Sequence, residues 1–460
     1  MSVTKSLPPA GHVALCTFPF TSHPQALFGL VFSLAKEAPQ LQFSFLCTRR
    51  SNSMILSNET NILPTNIKTY DVDDGLPEVI DHLTLDQALE SRYFFKRFPG
   101  NFRRGVDTAV AETGGRSVTF LIIDAFFSLD LGKLAEEMNV PWVAFMVPAP
   151  HDLAVWFQQD LIQQLYTNAQ THDDHPEDQV VDIIPGLPPV PFKDFQDEVF
   201  QRNPSSPVVQ LISSMVRKLP KASAVVLNSY EELNPSLLTN YLMSKVQNLL
   251  YMPLALSMTA SGTDATGCLP WLDQQKATSV AYISFGTMAT PGPYEFEALA
   301  EALEESGVPF LWSLKDKFKE YLPDGFIERI GMRGKVVPWV SQRQVLEHPS
   351  IGVHVTHSGY NSVLESILCG VPMICRSLWA DNHLNAKMVE EVWGIGVRVE
   401  NRVITKSGMI KCLDLIFQQD KGKKIRQAAT ALKQVSERAA GPDGVAAKHF
   451  ETLLQIISEK

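Results

Sequence analysis

Short runs of continuous apolar, β-branched residues alternate with longer helical patterns along the whole chain, and nothing else in the sequence constrains the fold as much. In the first half these runs are HVALCTF (12–18), FSFLCT (43–48), IKTYDV (67–72), VTFLIID (118–124), PWVAFMV (141–147) and SAVVLNS (223–229). In the second they are SVAYISFG (279–286), VPFLWSL (308–314), KVVPWV (335–340), GVHVTH (352–357), VPMICR (371–376) and GIGVRVE (394–400). A strand that is apolar throughout, instead of at every second position, belongs to a sheet covered on both faces, as parallel βαβ units require. The expected fold is therefore α/β, with two doubly wound parallel-sheet domains, 1–245 and 246–440, and a cleft between them. Their boundary is placed between LNPSLLTNY (233–241) and the small, polar stretch SGTDATG (261–267). After the breaker GPDG, apolar residues at Val445, Phe450, Leu453, Leu454 and Ile457 fall near helical spacing. The segment 441–460 is thus expected as a tail helix packed back on the N-terminal domain.

Composition narrows the partner. The 460 residues are 45% hydrophobic and 20% charged, enough to bury a large core. A net charge of −10 without long basic runs argues against a nucleic acid or an anionic membrane surface. A small or neutral ligand is expected instead. Six cysteines are scattered without CxxC or zinc spacing, which reads as reduced thiols in a cytoplasmic protein. No secretory leader and no run of 18 apolar residues is visible, so neither secretion nor membrane insertion is expected.

The stretch THSGYNSVLES, from Thr356 to Ser366, carries the chemistry. Ligands of open parallel sheets bind beyond the carboxyl ends of the strands, and GVHVTH delivers His357 to such an end. Gly359 permits a tight turn, while Asn361 and Ser362 stand where a helix begins, a natural anion site. A second strand end, YISFGTMATPG, supplies Ser284, Gly286 and Thr287, so two loops could grip a diphosphate. Plain N-capping is the competing explanation. No P-loop lysine and no GxGxxG is present, which speaks against triphosphatase or dinucleotide chemistry. HLTLD (82–86) imitates an acyltransferase motif and DVD (71–73) a metal motif, but both are short enough to arise by chance.

The block WVSQRQVLEHPSIGVHVTHSGYNSVLESILCGVPMICRSLWADNHLN, from Trp339 to Asn385, closely resembles the donor-binding signature of plant family 1 UDP-sugar glycosyltransferases. A weaker match covers FPFTSHPQAL, IIDAFF, PWVAFM, LPWLDQQ and VAYISFGT. The resemblance implies the GT-B fold, two Rossmann-like domains around an active site. It also implies roles. Trp339 would stack on uracil, Gln342 would touch the uridine and Glu365 the ribose. Ser284, Thr287, His357, Asn361 and Ser362 would hold the diphosphate. His23 would take the acceptor proton with Asp124 behind it, giving direct attack with inversion. No metal and no cofactor is implied, the UDP-sugar being a co-substrate. The cleft is complete within one chain, so a monomer is expected.

Departures from the family pattern concern mainly the sugar. Ser358, Tyr360 and Ser341 replace the usual Cys, Trp and Pro without evident consequence. The usual Asp-Gln that holds sugar hydroxyls is Asp381-Asn382 here, followed by His383, and the usual Phe-Trp-Thr is Phe145-Met146-Val147. Val147 offers no hydrogen bond to a 6-hydroxyl, and burying that hydroxyl unpaired costs about 1–3 kcal/mol. UDP-rhamnose, a 6-deoxy donor, is thus the expected partner, with UDP-glucose and neutral drift as the alternative. On the acceptor side, FPFTSHPQAL, DGLPE (74–78) and IIPGLPPV resemble flavonoid 3-O-glycosyltransferases. Phe20, Met146, Trp156 and Phe195 are candidates for an aromatic-lined pocket. The resulting expectation is transfer to the 3-hydroxyl of a flavonol such as quercetin, kaempferol or myricetin. A non-catalytic UDP-sugar or flavonoid binder would not need His23 and Asp124. A nicotinamide-dependent reductase would need the missing glycine fingerprint.

Overall fold

The computed structural model describes residues 11–19, 22–58, 63–74, 92–195, 207–253, 264, 266–286, 290–379 and 381–459. Phe20, Thr287 and the HLTLD and DGLPE motifs, apart from Asp74, lie outside them.

In chain order the first half contains strands β1 (Gly11–Cys16), β2 (Leu41–Cys47), β3 (Ile67–Asp71), β4 (Phe120–Asp124) and β5 (Trp142–Met146). A two-residue hairpin follows, β6 (Val180–Val181) and β7 (Val190–Pro191), and then β8 (Ala224–Leu227) and β9 (Leu249–Tyr251). The second half contains β10 (Val280–Ser284), β11 (Phe310–Ser313), β12 (Gly334–Val337), β13 (Ile351–Thr356), β14 (Met373–Cys375) and β15 (Gly396–Arg398). Two parallel sheets result, ordered β3-β2-β1-β4-β5-β8-β9 and β12-β11-β10-β13-β14-β15. These are the two doubly wound parallel sheets expected from the strand pattern, and they fit the GT-B arrangement that the resemblance implies.

Continuous apolarity has the anticipated cause. Along β4 every residue is buried, and successive side chains enter opposite clusters: Phe120 and Ile122 on one face, Leu121 and Ile123 on the other. Helix His23–Glu37 covers one face through Ala26, Leu27, Leu30, Val31 and Leu34. Pro24, in its first turn, suits a position whose N–H has no helical partner.

The first sheet does not stop at residue 245. LLY adds β9 as its edge, paired in parallel with β8, so the first domain runs to at least Tyr251. Three residues following the turn SKVQN (244–248) are too short a run to read from periodicity. Helix Val445–Ser458 buries Leu453 and Ile457 in the core of that first half, and His449 Nδ1 accepts from the Tyr251 N–H at 3.0 Å. Helix Asp420–Ala439 also reaches back, its Ala429 and Ala439 sharing a cluster with Tyr230 and Leu233.

Each sheet has one place where the strand order reverses, between β1 and β4 and between β10 and β13. Crevices at such switch points, at the carboxyl ends of the strands, are where open sheets bind ligands.

Candidate active site

The first switch point holds His23 and Asp124. His23 does not end the first strand: β1 stops at Cys16, and His23 is the first residue of the following helix. Asp124 is the last residue of β4, and Cys16 pairs with Ile123 across the sheet, so the two side chains meet beyond neighbouring strand ends. His23 Nδ1 lies 2.7 Å from Asp124 Oδ2, with both residues buried. Asp124 Oδ1 accepts from the Phe126 N–H at 3.2 Å, which fixes the carboxylate. Phe126 stacks on the imidazole at 5.3 Å and Phe18 meets it edge-on at 5.2 Å. A carboxylate on Nδ1 leaves Nε2 as the basic nitrogen.

The second switch point holds the turn. Helix Tyr360–Cys369 is capped by Gly359 with no side-chain hydrogen bond, so its first-turn N–H groups are available to an anion. Ser358 adopts φ 69°, in the left-handed region, which turns the chain from β13 into the helix. The His357 ring is wedged between two glycines. A Cβ on Gly286 would come within 2.7 Å of the ring, and one on Gly359 within 2.4 Å. Burial holds the His357 imidazole down at about 4, against a weaker upward pull from the Ser284 backbone. It is therefore neutral at physiological pH.

Beside the turn, Gln342 Nε2 donates to Ser362 Oγ at 2.9 Å and to Glu365 Oε2 at 2.6 Å. Burial raises the Glu365 carboxyl, and the Gln342 bond opposes that. Trp339 is 67% exposed at the rim. An indole left open beside a polar patch can stack on a planar ring.

The two halves are stitched together at this point. Asn361 Nδ2 donates to Ser22 Oγ, Asn228 Nδ2 donates to Asn361 Oδ1 at 2.9 Å, and Tyr360 OH donates to Ser229 Oγ at 2.7 Å. The Asn361 side chain thus points at the residue preceding His23, putting the anion turn next to the imidazole–carboxylate pair. Ser22, Asn228 and Ser229 carry no local motif, and pairs 131 to 339 positions apart leave no periodic signal in one sequence.

The sugar and acceptor candidates are placed less uniformly. Asp381 accepts from Asn382 at 3.2 Å and from Asn385 at 2.9 Å, and burial lifts its carboxyl to about 6 against the downward pull of the Asn385 hydrogen bond and, more weakly, of His23. His383 turns from this group: its Nδ1 lies 2.8 Å from Ser377 Oγ, and Arg402 and Arg376 add to the burial that holds it at about 4. Val147 is 5% exposed and packs in the sheet core. Met146, Trp156 and Phe195 are 0, 3 and 3% exposed and share one core cluster, so they pack inside the first half and do not line an open acceptor pocket as expected. Trp156 reaches the site through Phe126, at 6.1 Å.

Two switch points facing each other, one with a histidine–carboxylate pair and one with a helix terminus built for an anion, define a GT-B transferase of an activated, phosphorylated donor. The chain belongs to the family described as UDP-glucoronosyl and UDP-glucosyl transferase, whose model matches residues 207–432. It is 43% identical to the flavonol 3-O-glucosyltransferase F3GT2 of Actinidia chinensis var. chinensis, over 97% of this chain and 96% of that protein. It is 42% identical to the anthocyanidin 3-O-galactosyltransferase 3GT1 of Rhododendron delavayi, over 99% of both chains. A solved UDP-glucose: anthocyanidin 3-O-glucosyltransferase in complex with UDP superimposes with a TM-score of 0.91 at 40% identity, covering 99% of this chain and 100% of that one. The chain is thus a UDP-glycosyltransferase, inverting and metal-independent. Among the described residues no helix is long and apolar enough to cross a membrane.

Proposed function

We propose that the chain transfers glucose from UDP-glucose to the 3-hydroxyl of a flavonoid, a flavonol or an anthocyanidin. The observation that carries the chemistry is the 2.7 Å contact between His23 and Asp124, set beside a helix terminus through the Asn361–Ser22 bond. His23 Nε2 removes the acceptor proton, and the oxygen attacks the anomeric carbon from the face opposite the diphosphate. UDP leaves, the proton stays on His23, and Asp124 stabilises the imidazolium. The first-turn N–H groups of helix Tyr360–Cys369, with Ser362 and neutral His357, receive the charge that develops on the diphosphate. Trp339, Gln342 and Glu365 orient the uridine, and Ser284 and Thr287 complete the diphosphate loops. UDP-glucose and a flavonoid are the substrates, no cofactor takes part, and the enzyme works as a monomer in the cytoplasm.

The donor expectation is revised here from rhamnose to glucose. Relatives across nearly the full length are named as glucosyl- and galactosyltransferases, and Val147 is packed into the core instead of offering an open methyl surface to C6. UDP-rhamnose remains the second reading on one observation, that Val147 supplies no hydrogen bond to a 6-hydroxyl. The test offers quercetin and cyanidin with UDP-glucose, UDP-galactose and UDP-rhamnose separately and identifies products by mass and NMR. A 3-O-β-glucoside as main product supports the proposal. Rhamnoside in large excess would restore the second reading, and absence of any glycoside would reject both.

A further inference from the structure

Asp152 lies deep in the molecule with no role in the chemistry above. It sits in the first turn of helix Pro150–Phe157, is 1% exposed, and takes a hydrogen bond from the Ala149 backbone. Its second oxygen, Oδ2, is buried and has no partner. Helix capping accounts for the first oxygen only. A buried carboxyl oxygen left unsatisfied is costly, and such an atom is expected where a ligand completes it.

What lies next to it identifies that ligand. The neighbouring His151 Nε2 lies 2.6 Å from Asn385 Oδ1, and Asn385 Nδ2 donates to Asp381 Oδ2 at 2.9 Å. This bridge brings helix Pro150–Phe157 of the first half against Asp381 of the second. The buried Asn382 Oδ1, on the residue whose Nδ2 donates to Asp381 Oδ1 at 3.2 Å, is also without a partner. Each half therefore leaves one buried polar atom open near the Asp381 carboxylate, whose charge reaches Asp152 and which lies within electrostatic reach of His23.

We infer that Asp152 is a donor-sugar residue contributed by the N-terminal half, whose Oδ2 hydrogen-bonds a hydroxyl of the transferred hexose opposite Asp381. The inference rests on the proposed function and on the family resemblance, which implies that Asp381 holds the sugar. Burial, and then the charge of Asp381, raise the Asp152 carboxyl well above the usual carboxylate range. Of two neighbouring carboxyls, the one raised further keeps its proton when the other has lost it. Asp152 thus donates an O–H while Asp381 accepts. The other titratable groups facing the pair are His23, His151 and Tyr360. Burial holds His151 neutral at about 4 and pushes the Tyr360 hydroxyl up beyond its ordinary range, so neither His151 nor Tyr360 adds a cation.

The test is calorimetric titration of the intact protein with UDP and with UDP-glucose between pH 6 and 9. Asp152→Leu should weaken UDP-glucose about tenfold or more while leaving UDP within about twofold. Asp152→Asn keeps an N–H donor, so it should recover most of that loss. It should also stay flat with pH where the wild type weakens toward pH 9 as the Asp152 proton leaves. Equal losses for UDP and UDP-glucose, or no loss in either variant, would reduce Asp152 to a helix cap and overturn the inference. A wild type that binds UDP-glucose through Asp152 yet forms no flavonoid glycoside would refute the proposed function and leave the Asp152 assignment standing.

Discussion

At the scale of single residues, protonation states separate the histidines into two uses. His354 lies in the core, its Nδ1 2.8 Å from Ser366 Oγ and its ring stacked on Tyr282 at 5.0 Å. Burial holds it at about 3 and holds His151 and His357 at about 4, below the ordinary imidazole value. The unfolded chain binds those protons and the folded one does not, so their stabilisation is full above about pH 6.5 and is lost as pH falls. Asp381 acts in the opposite sense: raised to about 6, it favours the folded state at low pH and loses that contribution as pH rises through about 6. Between pH 5 and 6.5 three histidines outweigh it. His354→Phe should remove about 2 kcal/mol of acid sensitivity at pH 5, for a 1.5-unit distance from the unfolded value. Thermal melts from pH 7.5 to 5 would register this as a shallower fall in Tm than in the wild type; an unchanged slope would count against it. His23 and Asp124 were legible as candidates through the family resemblance, since residue pattern alone makes His23 a capping or surface histidine. His151, Asn385 and Asp152 were not, since only the fold brings position 151 to 385.

Among the elements, the turn before helix Tyr360–Cys369 shows how a pattern can be read correctly for an incomplete reason. The sequence suggested that Gly359 serves a tight turn. In the structure Gly359 has φ −61°, which any residue adopts, and its necessity comes from the His357 ring, which a Cβ would strike at 2.4 Å. Gly286 meets the same ring at 2.7 Å and also requires φ 72°, where an alanine costs roughly 1–2 kcal/mol. Gly359→Ala should therefore displace His357 and weaken UDP roughly tenfold, with little effect on thermal stability, while Gly286→Ala should lower both. UDP titration and melting of the two variants distinguish the cases; unaltered UDP affinity in Gly359→Ala would show that the ring position is immaterial. The other strands of the two large sheets were legible because burial on both faces writes continuous apolar runs. The edge strand β9 was not, because three residues carry no period.

For the whole molecule, the cleft is a product of long-range pairing. Leu384 and Met388, from the second half, pack into the core of the first, and Trp393 Nε1 donates to the Leu233 carbonyl at 2.8 Å. Asp194 is nearly buried between Arg398, at 3.4 Å, and Arg402. These contacts set the imidazole of one sheet against the anion turn of the other, a relation that two separate strand patterns could suggest but not place. The two-domain α/β architecture was therefore readable in advance, whereas the seam that makes it an active site was not. The measurement that bears most directly on this account compares His23→Ala with the wild type for UDP affinity and for single-turnover transfer from UDP-glucose to quercetin. Loss of transfer by about 10²–10⁴-fold with UDP affinity within about twofold is the expected result. Turnover near the wild-type rate would contradict the assignment of His23 as the base on which the account rests.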